Sequence, residues 1–169
     1  MEDIGNTGIC AYGAINKNDD ELLHSSSGGV VSELCRAILM GGGAVCASTY
    51  DYDSHKLRHT LIEDISGIEK IRGSKYFQSD ISGVYKTIEQ FLKQDIERIM
   101  LFIGTPCQCA AIKSYLNAKR ISIDKLICVD IICHGVGSNR VWSDFVKNIE
   151  KKNKVRIVKV TFKDKRRGW

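Results

Sequence analysis

Apolar positions Val30, Val31, Leu34, Ile38 and Leu39 recur at helical spacing and predict a helix over Gly28 to Met40, stopped by Gly41-Gly42-Gly43. The same period in Ile81, Val84, Tyr85, Ile88, Phe91 and Leu92, and again in Val141, Phe145, Val146 and Ile149, predicts two amphipathic helices. Continuous apolar runs at Ala44 to Thr49, Ile99 to Ile103 and Lys125 to Ile132 predict buried strands. Alternation predicts further strands at Ile9 to Ile15, Leu57 to Glu63 and Val155 to Phe162. Asn16 to Ser27 is polar and reads as a loop, Asp51 to Lys56 as a turn, and Cys107 to Leu116 as a helix. Strands apolar on both faces, alternating with helices, indicate an α/β fold with a mostly parallel or mixed sheet flanked by helices.

A chain of 169 residues is expected to form a single α/β domain over 1–169. Its longest apolar run, Leu126 to Cys133, is broken by Asp130 and is too short for a membrane helix, so no membrane span is expected. The first residues, Met-Glu-Asp-Ile-Gly-Asn, have no apolar stretch of the secretory kind, and a cytoplasmic protein is expected. The net charge of +5 is concentrated late, in Lys147, Lys151, Lys152, Lys154 and Lys163-Asp-Lys-Arg-Arg167. This run lacks the interleaved aromatics and the motif of a nucleic-acid binder, so a solvated face or a contact to an anionic cofactor is the better reading.

Seven cysteines in such a chain should be reduced. Cys35 and Cys46 sit in apolar segments and read as small buried hydrophobes, as do Cys10 and Cys128 more weakly. Cys107, Cys109 and Cys133 differ, lying among Gly, Pro, Gln and His at the ends of strands. His24, His55 and His59 have no ligand spacing and are expected at the surface.

Three loops carry candidate chemistry. Ser25-Ser26-Ser27-Gly28-Gly29 precedes a helix, where free amides, glycines and hydroxyls suit a phosphate. Gly104-Thr105-Pro106-Cys107-Gln108-Cys109 links a buried strand to a helix; Pro106 suits the first turn and Cys107 the N-terminus, where a thiolate is stabilised. Redox thiol, nucleophile and iron ligand all remain open for Cys107. Asp130-Ile-Ile-Cys133-His134-Gly135 ends the next strand. Neighbouring strands would bring Cys107 and Cys133 to one sheet edge, as half of a metal or cluster site. Arg72-Gly73-Ser74-Lys75-Tyr76-Phe77 adds cations, hydroxyls and aromatics without periodicity.

Ser-Ser-Ser-Gly-Gly, Gly73-Ser-Lys-Tyr76, Gly104-Thr-Pro-Cys-Gln108 and Asp130-Ile-Ile-Cys-His-Gly135, in this order and followed by Val160 to Trp169, resemble the beta subunit of coenzyme F420 hydrogenases and dehydrogenases. The resemblance implies a fragment of a larger flavoprotein domain, a truncated member without the ferredoxin module and the C-terminal part. It implies FAD and a 4Fe-4S cluster, with Cys107 and Cys133 as metal ligands. Ser25, Ser26, Ser27, Gly28, Gly29, Gly73, Ser74, Lys75 and Tyr76 would hold the flavin, with Thr105, Gln108 and His134 lining the same site. The implied role is an electron-transfer oxidoreductase subunit, working between a cluster and a deazaflavin or other small carrier, with a redox partner protein or ferredoxin-like module. Two other classes stand beside it: a Cys-dependent transferase or hydrolase using Cys107 and His134, and a non-catalytic binding module docking through the basic C-terminal stretch.

Overall fold

The computed structural model describes residues 10–94 and 97–165. Five strands form one mixed sheet in the order β3-β2-β1-β4-β5: β1 (Ala44–Asp51), β2 (Lys56–Ile62), β3 (Ser79–Asp80), β4 (Met100–Gly104) and β5 (Leu126–Asp130). The β1–β2 hairpin is antiparallel, whereas β2–β3, β1–β4 and β4–β5 are parallel. Central β4 is buried along its whole length, because β1 and β5 flank it and helices cover both its faces. That is why its sequence is continuously apolar instead of alternating.

The pleat divides the core into two layers. Ala44, Cys46, Met100 and Phe102 point to one face and pack with Ile88 and Phe91 of α4 (Tyr85–Lys93) and with Cys109, Ile112 and Leu116 of α5 (Pro106–Ala118). Val45, Ala47, Leu101 and Ile103 point to the other and pack with Cys35 and Leu39 of α2 (Val30–Met40) and with Ile68 and Ile71, at the ends of the short α3 (Ile68–Ile71). α6 (Asn139–Asn153) docks through buried Val146 and through Trp142, which donates to the Tyr50 hydroxyl at 3.1 Å and lies against Phe77 and Phe162.

Several expectations are corrected. Residues 10–15 are not a strand; Ile9 lies outside the described residues. The polar stretch 16–27 contains a helix, α1 (Asp19–His24), started by the Asn18 side chain, which accepts from the Asp20 and Glu21 amides. Its Glu21 carboxylate binds Arg36 of α2 at 2.9 Å and Arg72 at 3.0 Å, so one charge ties three segments together. The alternating segment 155–162 forms no strand. Phe162 instead joins the aromatic cluster around Tyr50 and Trp142, and the Ile157 amide is taken by the Glu150 carboxylate at 2.7 Å. Among the described residues no helix is long and apolar enough to cross a membrane.

Candidate functional site

β1 and β4 pair from Ala44–Met100 to Cys46–Phe102 and then part. Beyond that point β1 continues against β2 alone, and β4 against β5 alone. A split between parallel strands at their carboxyl ends is where ligands collect in open α/β sheets. Here it opens a cleft of about 550 Å³, within the ordinary range for a small-molecule or cofactor site.

The loops singled out in the sequence converge on this cleft. The serine-glycine loop, the Gly73-to-Tyr76 segment, Thr105, Gln108 and Cys133 all line it. Cys107 and His134 lie outside its lining and are exposed. The Cys107 thiol shares a hydrogen bond with the Thr105 hydroxyl at 3.1 Å, and no imidazole partner of it is seen among the described residues.

Many of these side chains build the walls. Ser25 donates to the Glu21 carbonyl at 2.7 Å and is buried, while the Ser26 hydroxyl accepts the Ser74 amide at 2.6 Å, joining the first loop to the Gly73 loop. Gly28 is required by contact: a Cβ there would collide with the Ala14 carbonyl oxygen. Gly29 caps α2 in the left-handed region, at φ +79°, so the first amides of α2, beside the cleft, have no side-chain cap. Lys75 donates to the carbonyls of Ile71 at 2.8 Å and Gly73 at 3.1 Å. Burial lowers its ammonium to about 8. Gln108 is only 4% exposed, and both ends of its amide are used: it accepts the Thr105 amide at 3.1 Å and donates to the Ser79 carbonyl at 2.9 Å.

The third loop closes over the second. Gly137 donates to the Tyr76 carbonyl at 3.2 Å and runs beside Phe77, while Asn139 donates to the Gln78 carbonyl at 3.3 Å. Lys165, from the basic run, donates to the carbonyls of Ser27 at 2.7 Å and Leu22 at 3.1 Å. It therefore straps the C-terminal segment to the serine loop; Arg166 and Arg167 lie outside the described residues.

Two residues of the site escape a reading of motifs. His59, expected at the surface, is 5% exposed and lines the cleft. Its Nε2 lies 2.9 Å from the Ile103 carbonyl, which can only accept, so Nε2 carries the proton and Nδ1 accepts from the Ser79 hydroxyl at 2.9 Å. Phe102 stacks on the ring at 5.1 Å. The imidazole thus spans the gap where the β1–β4 ladder stops, and burial holds it below the usual histidine range. The signal was alternation: Leu57, His59 and Leu61 share a face of β2, and Leu57 is buried. Ser48 sits opposite His59 on β1, and its hydroxyl is the one buried side-chain polar atom without a partner among the described residues.

Cys109 is corrected as well. It is a buried core residue whose thiol approaches the Val129 carbonyl at 3.8 Å, not a group at the strand ends. Among the described residues no three or more His, Cys, Asp or Glu side chains gather as a metal site.

Residues 11–86 match the family described as "Coenzyme F420 hydrogenase/dehydrogenase, beta subunit N-term", and residues 97–168 match its C-terminal counterpart. The chain belongs to this beta-subunit family. No curated protein matches it. Its fold is similar to that of a chain in the xenon-derivatised F420-reducing NiFe hydrogenase complex from Methanosarcina barkeri, with a TM-score of 0.62 and 18% identity. That match covers 79% of this chain and 47% of the other, so the chain spans about half the length of its structural relative.

Proposed function

We propose that the chain is a flavin-binding electron-transfer subunit of an oxidoreductase, taking FAD into the cleft between β1 and β4. The observation that carries this reading is the convergence of the family's loops on one cleft holding two unspent features: the α2 amides, which have no side-chain cap, and the Ser48 hydroxyl. Such donors fit a phosphate-bearing ligand with a polar planar ring.

FAD bound there would supply exchange between two-electron and one-electron carriers. The chain's residues would position it. The α2 amides would face its phosphates, with Ser26 and Ser74 fixing the loops that meet there. His59, as a neutral Nε2–H imidazole, and Gln108 would hold the floor rigid. The Gly135-to-Gly137 loop would shield the cleft from water, and a deazaflavin or other small carrier and a redox partner protein would complete the electron path.

The fit to a 4Fe-4S cluster is poor. Such a cluster takes four thiolates, and Cys107 and Cys133 are the two at matching positions, without a third ligand gathered near them among the described residues. We therefore route no step through a cluster held by this chain alone.

FAD titration, read by quenching of flavin fluorescence, tests the reading. One FAD per chain is expected. Ser48→Val should weaken binding about fivefold, the loss of one hydrogen bond, without lowering the melting temperature, because the Ser48 hydroxyl has no partner among the described residues. A folded chain that takes up neither FAD nor FMN would overturn it.

A further inference from the structure

α6 is seated by one face and bare on another. Trp142 and Val146 hold it to the rest of the molecule, while Val141 and Phe145, one helical turn apart, are 68% and 53% exposed. A series of rings joins the bare face to the cleft. The Phe145 ring lies 5.7 Å from Trp142, and Trp142 lies 4.7 Å from Phe77, which lines the cleft. Ile132 and Val136, on the loop that leads into α6, also line the cleft and are exposed. A single exposed apolar side chain is ordinary, but a set that borders a cofactor-sized cleft marks an interaction site.

The charge beside this face is one-sided. Residues 139–169 hold eleven basic and three acidic side chains, whereas the rest of the chain holds fourteen and seventeen. Lys147, Lys151, Lys152 and Lys154, on the second half of α6 and at its end, are all exposed. Of the acidic groups there, Glu150 is turned inward: its carboxylate lies 3.3 Å from the His55 ring and accepts the Ile157 amide. An apolar centre beside a basic rim has the make-up of a protein-docking patch, and it complements a partner with a carboxylate-rich surface.

We propose that the bare face of α6, centred on Phe145, is the docking surface for an acidic electron-carrier protein. This rests on the electron-transfer reading above and gives its redox partner a place and a charge. The lysines would steer the carrier in through its carboxylates, and Val141 and Phe145 would be covered on contact. The carrier would then stand at the outer end of the ring series that leads to the cleft. α6 supplies approach and orientation only, so no bond is made or broken there.

Carbodiimide cross-linking of the full chain to an acidic 2Fe-2S ferredoxin, followed by peptide mapping, tests the surface. The reagent joins lysines only to carboxylates already in contact with them. Links are expected at Lys147, Lys151 and Lys152. They should disappear in about 1 M salt, where screening is nearly complete, and fall about tenfold in Lys147→Glu/Lys151→Glu/Lys152→Glu. Phe145→Ser should weaken them as well, by removing the apolar centre, whereas Lys86→Glu/Lys113→Glu, on α4 and α5, should leave them unchanged. The links need no flavin, so links at α6 in a chain that binds no FAD would support the surface while overturning the flavin reading. A chain that binds FAD but forms no link, links mainly at Lys86 and Lys113, or links undiminished by the α6 charge reversal would overturn the surface alone. Binding to vesicles of phosphatidylserine and phosphatidylcholine in place of the ferredoxin, lost in the same charge-reversal variant, would assign the face to a membrane and overturn it too.

Discussion

A neutral imidazole bridging a gap in a sheet makes stability depend on pH in a definite direction. His59 is buried, its folded-state pKa lies below the ordinary 6.5, and desolvation is the leading cause. As pH falls through about 6.5 the unfolded chain takes up the proton first. The folded state loses ground until the lower folded pKa is passed. Thermal melts between pH 7 and 5 should therefore show a falling midpoint. His59→Gln should be less stable at pH 7 by about 2 kcal/mol, from two lost hydrogen bonds, and should show a shallower slope over that range. Equal slopes in the two proteins would mean that His59 does not carry the titration. Lys75 follows the same sign over a higher window: its value of about 8 lies below the ordinary 10.5, so its burial costs stability until pH rises through that interval.

The elements that shape the cleft are short and rely on tertiary partners. α1 has six residues and none of them is buried, so it cannot be stable by itself. Glu21 holds it through Arg36 and Arg72. Its carboxylate is mostly shielded from water, and Glu21→Ala would leave two guanidinium groups without their partner, costing about 2 kcal/mol. Denaturant unfolding should show this as a lower midpoint with an unchanged slope. Hydrogen exchange should rise first in 19–29, the stretch that presents the serine loop to the cleft. Exchange that rises uniformly along the chain would contradict the local tie. The helix itself could have been read from Asn18 followed by Asp19, Asp20 and Glu21, a cap and an acidic first turn. Without apolar periodicity the stretch reads as a loop.

For the whole molecule, the docking of α6 decides whether the third loop closes the site. Trp142 is the anchor, bonded to Tyr50 and packed on Phe77 and Phe162, so the helix, the hairpin and the extended segment 155–162 meet at one indole. Trp142→Ala should cost about 3 kcal/mol and raise hydrogen exchange in 135–153 together. FAD affinity should fall with it, because Gly137 and Asn139 are held against Tyr76 and Gln78 by the same docking. Retained affinity with a loosened α6 would separate the lid from the site. The opposite edge of the sheet is less finished: Ile132, just past β5, is 89% exposed.

The sequence by itself determined the helices and strands that own a periodic or continuous apolar pattern: α2, α4, α5, α6 and β1, β2, β4 and β5. Burial on one face or on both is written locally, residue by residue. It also determined the loops that matter, because glycines, serines and prolines are demanded by local backbone geometry and close contact, as at Gly28 and Gly29. Tertiary structure alone decided that 155–162, alternating like a strand, pairs with nothing, since pairing needs a free sheet edge and its aromatic residue found a better partner in Trp142. It decided likewise that Cys109 is buried in the core, that Cys107 stays outside the cleft, and that His59 turns inward to span the parted strands. Each of these depends on which strand lies beside which, a long-range fact that no local pattern contains.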